Sequence, residues 1–586
     1  MNYNLDDLTA HQQRASTLTI LGKLLLLIKD ERRNLILALL AILTNSAMNL
    51  LNPYIIGRTI DKYIMHKDYH GVLINTGLLI IMALIAFAAS YTQTRMMGGV
   101  GQRMLFKLRN AVFNKLQELP VAFFNQNKAG DLISRINNDT DKINQFFSQS
   151  LMQFIGTMMT MIGAGIFLLA INFRLGVATL VPGLLILIFT KSTSKWVKKK
   201  NADSMKTTGG LSSEIQESLN NFKVIIAFNR RDYFRKRFEE SNEKNYVAAK
   251  AAGISNSAFT PVYGFFASTG QLIVLTVGIY LISTGRFSIG LLVSYLAYST
   301  NFYNPLRQLA VLWTNFQVAM AGSDRISHIL NMESNLPVLP DIRQEKTNAL
   351  LEFRNVHFGY EKGEEILHNI NFALEPGKTY ALVGPTGGGK TTTASLLARL
   401  YDPVSGTVLL DGKDIRSYEL GERTRKIGFI LQEPFLFTGT VRDNILYGNE
   451  NLTDFSNEQL EEVIRNANLQ RLLEIFENGL DTKVSSGGES ISLGQKQLIA
   501  FMRAVLRNPD LLILDEATAN IDTITEKILE DILNKLPQQT TRVIIAHRLN
   551  TIQNADEIYF VNAGEVIRAG SFDHAVKMLL QEKRAS

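Results

Sequence analysis

Six stretches without a single Asp, Glu, Lys or Arg, roughly 34–57, 71–94, 147–171, 175–190, 258–283 and 287–306, recur through the first 310 residues. In lipid a chain must satisfy its own backbone polar groups, so such stretches can cross only as helices, and ~20 residues suffice for one crossing. The fourth stretch is shorter and spans if its polar flank continues the helix. Six crossings return the chain to the side on which it starts. Lys23, Lys29, Arg32 and Arg33 precede the first stretch and KSTSKWVKKK (191–200) follows the fourth, which puts these ends in the cytosol. The excess of 61 Lys and Arg over 54 Asp and Glu sits beside apolar blocks, so it reads as cytosolic positive charge and not as a nucleic-acid surface. The chain has no cysteine, which excludes disulfides and thiolate metal sites. The first 20 residues are polar and the first apolar block is of spanning length, so no cleavable leader is expected.

The outer connections are short, whereas the inner segments, about 95–146 and 191–257, keep helical periodicity, as in Met104, Leu105, Leu108, Val112 and Leu116. They are expected to be spanning helices continued far into the cytosol. Each should end in a short tip helix. The first follows Pro120, with Phe123 and Phe124 exposed for insertion into a partner domain, and the second lies near 209–228, where Gly209-Gly210 is expected to break the long helix. Asn45, Asn49 and Asn52 share one helical face, which should look toward other helices or a wet cavity. Phe265, Phe266, Tyr295, Tyr298, Phe302 and Tyr303 either pack between helices or line an apolar substrate cavity.

Residues 330–350 lose periodicity and hold two prolines, which marks a linker between a membrane domain (1–329) and a soluble α/β domain (351–586). The soluble part carries GPTGGGKTT (384–392) between an apolar run and a helical pattern, the setting of a phosphate-binding loop. Gly384, Thr386, Gly387, Gly388 and Gly389 turn backbone N–H groups onto phosphates, Lys390 reaches the β and γ phosphates, and Thr391 ligates Mg²⁺, with Thr392 beside it. LLILDE (511–516) reads as a buried strand ending in two carboxylates: Asp515 for the Mg²⁺ shell and Glu516 to polarise an attacking water. His547 follows another apolar strand and could hydrogen-bond a γ-phosphate. These strands deliver polar groups to one sheet edge, where nucleotides bind in open α/β folds.

Together these motifs resemble, in the same order, those of the ABC transporter nucleotide-binding domain. The resemblance implies ATP and Mg²⁺ as cofactors, Tyr360 stacked on adenine, Gln432 between Mg²⁺ and the membrane domain, and Asp522 in the loop after the catalytic strand. It puts Glu516 and His547 in the catalytic positions, and Ile491, Ser492, Leu493, Gly494 and Gln495 at the signature motif. GDLISRINNDTDKI from Gly130 and the two inner tips resemble the multidrug and lipid exporter class, with two coupling helices per chain. The implied fold class is an α-helical membrane domain of six spans with long cytosolic extensions, fused to a P-loop ATPase. In that family two ATP domains sandwich two ATP molecules head to tail, so a second half-transporter is the implied partner.

Two departures stand out. The usual signature LSGGQ becomes ISLGQ, with Leu493 at a glycine position, and Ser486 stands where exporters commonly show a glutamate. Intact catalytic residues beside an altered signature resemble the catalytic subunit of bacterial heterodimeric exporters, which favours a heterodimer over a homodimeric lipid flippase. The expected activity is ATP-driven export of hydrophobic or amphipathic compounds by a multi-pass protein of the inner (plasma) membrane, with its ATPase domain in the cytosol. Uncharged spans argue against a proton-coupled carrier and against a channel with a charged ring.

Overall fold

The computed structural model describes residues 3–5, 29–333, 336–340, 347–360, 364–485, 491–515, 523–545, 553–570 and 572–585. They divide into two compact units. One holds the membrane helices (12–116 and 130–331), and the other holds the ATPase fold (332–586) together with residues 1–11 and 117–129.

In the membrane unit, α1 (Arg32–Thr59) runs on through a π-turn at Ile60–Ile64, and α2 (Tyr69–Glu118) is unbroken for 50 residues. At 1.5 Å per residue α2 is about 75 Å long, well over twice the ~30 Å hydrocarbon layer. The first tip is α3 (Val121–Gln126). The third crossing joins α4 (Ala129–Ser134), α5 (Thr140–Gln145) and α6 (Leu151–Ile171) through π-turns at Arg135–Asp139 and Phe146–Ser150. Then come α7 (Phe173–Asn220), the second tip α8 (Phe222–Ala227), α9 (Arg231–Ser257), α10 (Phe259–Ser283) and α11 (Ile289–Leu330).

Among the described residues five helical runs are long and apolar enough to cross a membrane: Arg32–Ile64, Tyr69–Glu118, Ala129–Ile171, Phe173–Asn220 and Arg231–Ser283. The sixth, α11, is less apolar because its uncharged stretch carries tyrosines, asparagines and serines. Four of its hydroxyls bond to neighbouring helices. Tyr295 donates to Leu168 O at 2.8 Å, Tyr298 to Leu50 O at 2.7 Å, Ser294 to Pro53 O at 2.7 Å, and Tyr303 to Thr179 O. Pro53 sits inside α1 and lacks an N–H, which removes the helical donor to the Asn49 carbonyl one turn earlier. Such interhelical bonds contribute roughly 0.6 kcal/mol each. The N-terminus of α11 is capped from the first outer connection: Asp61 accepts from Gly290 N at 2.8 Å and from the Ser288 hydroxyl.

Gly209 and Gly210 do not break α7, contrary to the expectation from sequence; the chain turns at Asn221 instead. Two glycines cost about 2 kcal/mol in a helix. Contacts with α9 on both sides of the pair offset that cost. Thr207 and Thr208 donate to Asn245 Oδ1, and Arg237 forms ion pairs with Glu214 at 3.0 Å and Glu217 at 3.1 Å.

The ATPase unit is built on two main sheets. A six-stranded sheet has the order β12-β11-β3-β10-β9-β6, from β3 (Thr379–Val383), β6 (Ile427–Ile430), β9 (Leu511–Asp515), β10 (Thr541–Ile545), β11 (Glu557–Asn562) and β12 (Glu565–Arg568). All its pairings are parallel except β11 with β12. Strands β3, β9 and β10 are almost wholly buried, as their unbroken apolar runs require. The antiparallel sheet β2-β1-β4-β5 is formed by β1 (Leu351–Phe358), β2 (Leu367–Leu374), β4 (Ser405–Leu410) and β5 (Lys413–Asp414). The short pair β7 (Gly439–Thr440) and β8 (Lys483–Val484) stands apart.

Phe123 was expected to be exposed and is fully buried, packed edge-on against Tyr3 and Phe124; Phe124 alone of the pair is exposed. Tyr3 N donates to Gln126 Oε1 and Leu5 N to Asn127 Oδ1, so residues 3–5 lie against this tip.

Candidate functional site

The phosphate-loop sequence follows β3 and leads into α12 (Lys390–Leu397). Gly384, Gly387 and Gly389 have φ of +147°, +83° and +109°, which side-chain-bearing residues rarely adopt. A Cβ on Gly384 would lie 1.9 Å from Val561 O, so β11 closes one side of the loop against it. Thr386 and Gly388 complete the turn, and Gly388 donates to Pro385 O at 3.1 Å. Lys390 is 5% exposed and donates to Gly384 O and Pro385 O, both at 2.9 Å. Its ammonium is thereby held over the loop.

Thr391 Oγ1 donates to Asp515 Oδ1 at 3.4 Å. The hydroxyl after the loop lysine and the carboxylate at the end of β9 thus stand side by side, and Asp515 is buried. Two adjacent hard oxygen donors suit Mg²⁺, which takes few protein ligands and completes its octahedron with water and phosphate. Gln432 lies exposed two residues beyond β6, the strand next to β9. Glu516, Asp522 and His547 lie outside the described residues, as does Ser486. Glu516 directly follows the end of β9, and His547 comes two residues after the end of β10, the parallel neighbour of β9.

Tyr360 is 41% exposed, and its hydroxyl shares a 3.2 Å hydrogen bond with Thr392 Oγ1. Its ring packs edge-on against Tyr401, with centroids 5.1 Å apart. Tyr401 was not singled out from sequence. Asn125 of the first tip helix donates to its hydroxyl at 2.7 Å, and burial pushes its phenol above the ordinary value. One aromatic therefore touches both the ring expected under adenine and a tip helix. Only an aromatic just after a helix marks it in sequence, and its partner is 276 residues away. As a hypothesis, Tyr401→Phe should leave basal ATPase within about twofold but lower substrate stimulation by about fivefold, the worth of one net hydrogen bond. Unchanged stimulation in reconstituted protein would remove Tyr401 from the coupling route.

At the signature, Ser492 caps α17 (Leu493–Val505; α13 is Leu420–Lys426, α14 Val441–Leu446, α15 Asn457–Asn466 and α16 Gln470–Leu473). Ser492 Oγ accepts from Gln495 N at 3.2 Å, and Gln495 Oε1 accepts from Ser492 N at 2.9 Å. This reciprocal capping box contributes about 1 kcal/mol. Leu493 and Gly494 open the helix, and Leu493 is 38% exposed. Nothing in the chain's own backbone requires glycine there.

In the membrane unit a cavity of about 430 Å³ opens between α1, α2, the third crossing and α11. Asn45 and Asn49 line it, but Asn52 does not. Nor do the six aromatics considered for a substrate cavity. Tyr295, Tyr298 and Tyr303 are buried donors to helix carbonyls, Phe302 and Phe266 join apolar clusters, and Phe265 is exposed.

Residues 35–306 match the family described as ABC transporter transmembrane region, and residues 367–519 match that described as ABC transporter. An uncharacterized ABC transporter ATP-binding protein of Bacillus subtilis is 35% identical over 564 residues, covering 93% of this chain and 90% of that one. A fatty acid ABC transporter ATP-binding/permease protein of Mycobacterium bovis is 32% identical, covering 86% and 79%. A multidrug resistance ABC transporter ATP-binding and permease protein of Lactococcus lactis is also 32% identical, covering 86% of each. With a helical membrane domain and an ABC-type ATPase in one polypeptide, the chain belongs to the ABC transporter family, as a multi-pass exporter half-transporter that binds and hydrolyses ATP to drive transport.

Proposed function

We propose that this chain is the hydrolytic half of a heterodimeric exporter of hydrophobic or amphipathic compounds. The observation that carries this reading is Leu493. Its isobutyl group stands exposed at the mouth of a helix that is fully capped without it, so its effect falls on whatever approaches that helix end. In the family arrangement that visitor is the ATP bound to the other subunit. A side chain at the glycine position holds the γ-phosphate away, while this chain's own Lys390, Asp515 and Glu516 keep the residue types needed for hydrolysis.

Within this chain, Tyr360 stacks on adenine and the loop glycines with Lys390 hold the phosphates. Thr391, Asp515 and Gln432 would hold Mg²⁺, which when bound neutralises charge on the β and γ phosphates. Glu516 orients the attacking water and His547 contacts the γ-phosphate. Ser492, Gly494, Gln495 and Asp522 face the partner's nucleotide. The names of relatives include a multidrug and a fatty acid transporter, which supports an amphipathic cargo.

The test is ATPase activity of the chain purified alone in lipid, with nucleotide binding measured on the same sample. Bound ATP with little turnover supports the heterodimer; robust drug-responsive turnover overturns it in favour of a homodimer. Leu493→Gly should raise activity of the isolated chain less than about twofold, and a rise of tenfold or more would likewise favour the homodimer.

A further inference from the structure

We propose that the membrane cavity binds an uncharged, hydrogen-bonding headgroup of an amphipathic substrate, such as a hydroxyl- or amide-bearing group, in preference to an ion. The proposal rests on the export reading above and narrows its cargo. The cavity lining holds eight carboxamides and six hydroxyl side chains and not one charged residue. Among the described residues, the amides of Gln93, Gln149, Gln153, Asn301 and Asn304 make no hydrogen bond within the chain. Asn49 donates only to Asn45, at a long 3.4 Å.

Unpaired amides facing lipid are costly, so these groups face water or a ligand. Each carboxamide offers two donors and an acceptor without net charge. A ring of them matches hydroxyls and amides, which need both donors and acceptors. It offers no counter-ion, so an ammonium or sulfate entering this space would lose water without gaining a charge partner. The remaining walls, Ile42, Met97, Met152 and Pro305, suit an alkyl segment, and methionine adapts to its shape. The volume lies in the range of small-ligand pockets. Four helical segments of this chain contribute the lining.

The test uses the full chain in phosphatidylcholine nanodiscs without nucleotide. Three radiolabelled probes share one alkyl chain: dodecyl β-glucoside, dodecyltrimethylammonium and dodecyl sulfate, each corrected for binding to empty discs. Expected is saturable glucoside binding at least about tenfold tighter than either ionic probe. Gln153→Leu with Asn304→Leu should weaken the glucoside about tenfold and leave the ionic probes unchanged. Should that double variant fail to fold, the near-isosteric Asn49→Asp should instead gain about tenfold for the ammonium probe. Equal or tighter binding of an ionic probe, glucoside affinity indifferent to these substitutions, or no saturable binding of any probe overturns the proposal. ATPase activity in the same discs, with the partner subunit added where required, separates the two readings. Turnover with the wrong probe ranking sinks only the headgroup, whereas the expected ranking without turnover sinks only the exporter assignment.

Discussion

Glu516→Gln is expected to keep ATP bound while cutting hydrolysis by at least about 100-fold, the usual worth of a positioned general base. The amide keeps the size and hydrogen-bonding reach of the carboxylate but neither accepts a proton nor polarises water as an anion does. Asp515, which ends β9 one residue earlier, is buried and bonded to Thr391, and in the proposed mechanism it serves the Mg²⁺ side of the site. That leaves the next carboxylate for the water. Single-turnover ATPase and nucleotide titration on the same preparation separate the two effects. Hydrolysis within tenfold of the unmodified chain would mean that another group activates the water.

The second large effect is on binding. Lys390→Ala removes an ammonium that is almost fully buried and held by two carbonyls of its own loop. Hydrogen bonds from a charged donor are worth about 1.5–3 kcal/mol each. Loss of one such contact to phosphate should weaken ATP by roughly 10- to 150-fold. A fluorescent-nucleotide titration reads this directly, and unchanged affinity would refute the phosphate role. A melting curve guards against misfolding, because the substitution also takes the partner from Gly384 O and Pro385 O.

The nucleotide loop was legible in sequence because its geometry is local. Glycines at positive φ, a buried strand before and a helix after are all read within 20 residues. The pairing of Thr391 with Asp515 followed from two such local motifs. What was not legible depended on distant partners. Phe123 is apolar on a short tip, and it is buried with Tyr3, 120 residues earlier, against its ring. Tyr401 gains its role from Asn125. Gly209-Gly210 would end many helices, but α9 holds both sides of the pair. The tyrosines of α11 carry the same aromatic signal whether they line a cavity or donate to a carbonyl, and only their hydroxyl partners decide. From sequence, Asn45 and Asn49 were expected to face either other helices or a wet cavity, because an amide in a span has few places to go, and they line the cavity. The other six amides of that cavity come from other helices and were invisible until the bundle was assembled.

The uninterrupted α7 has a mechanical consequence. Had the glycine pair formed a hinge, a tilt at one end would be absorbed before reaching the other. Clamped by Arg237 and Asn245 instead, the 38 residues that follow Pro182 in this helix act as one stiff lever about 57 Å long, so a tilt of only about 5° sweeps the far end through about 5 Å. Displacements of that size can thus cross the helix without any backbone torsion changing along its length.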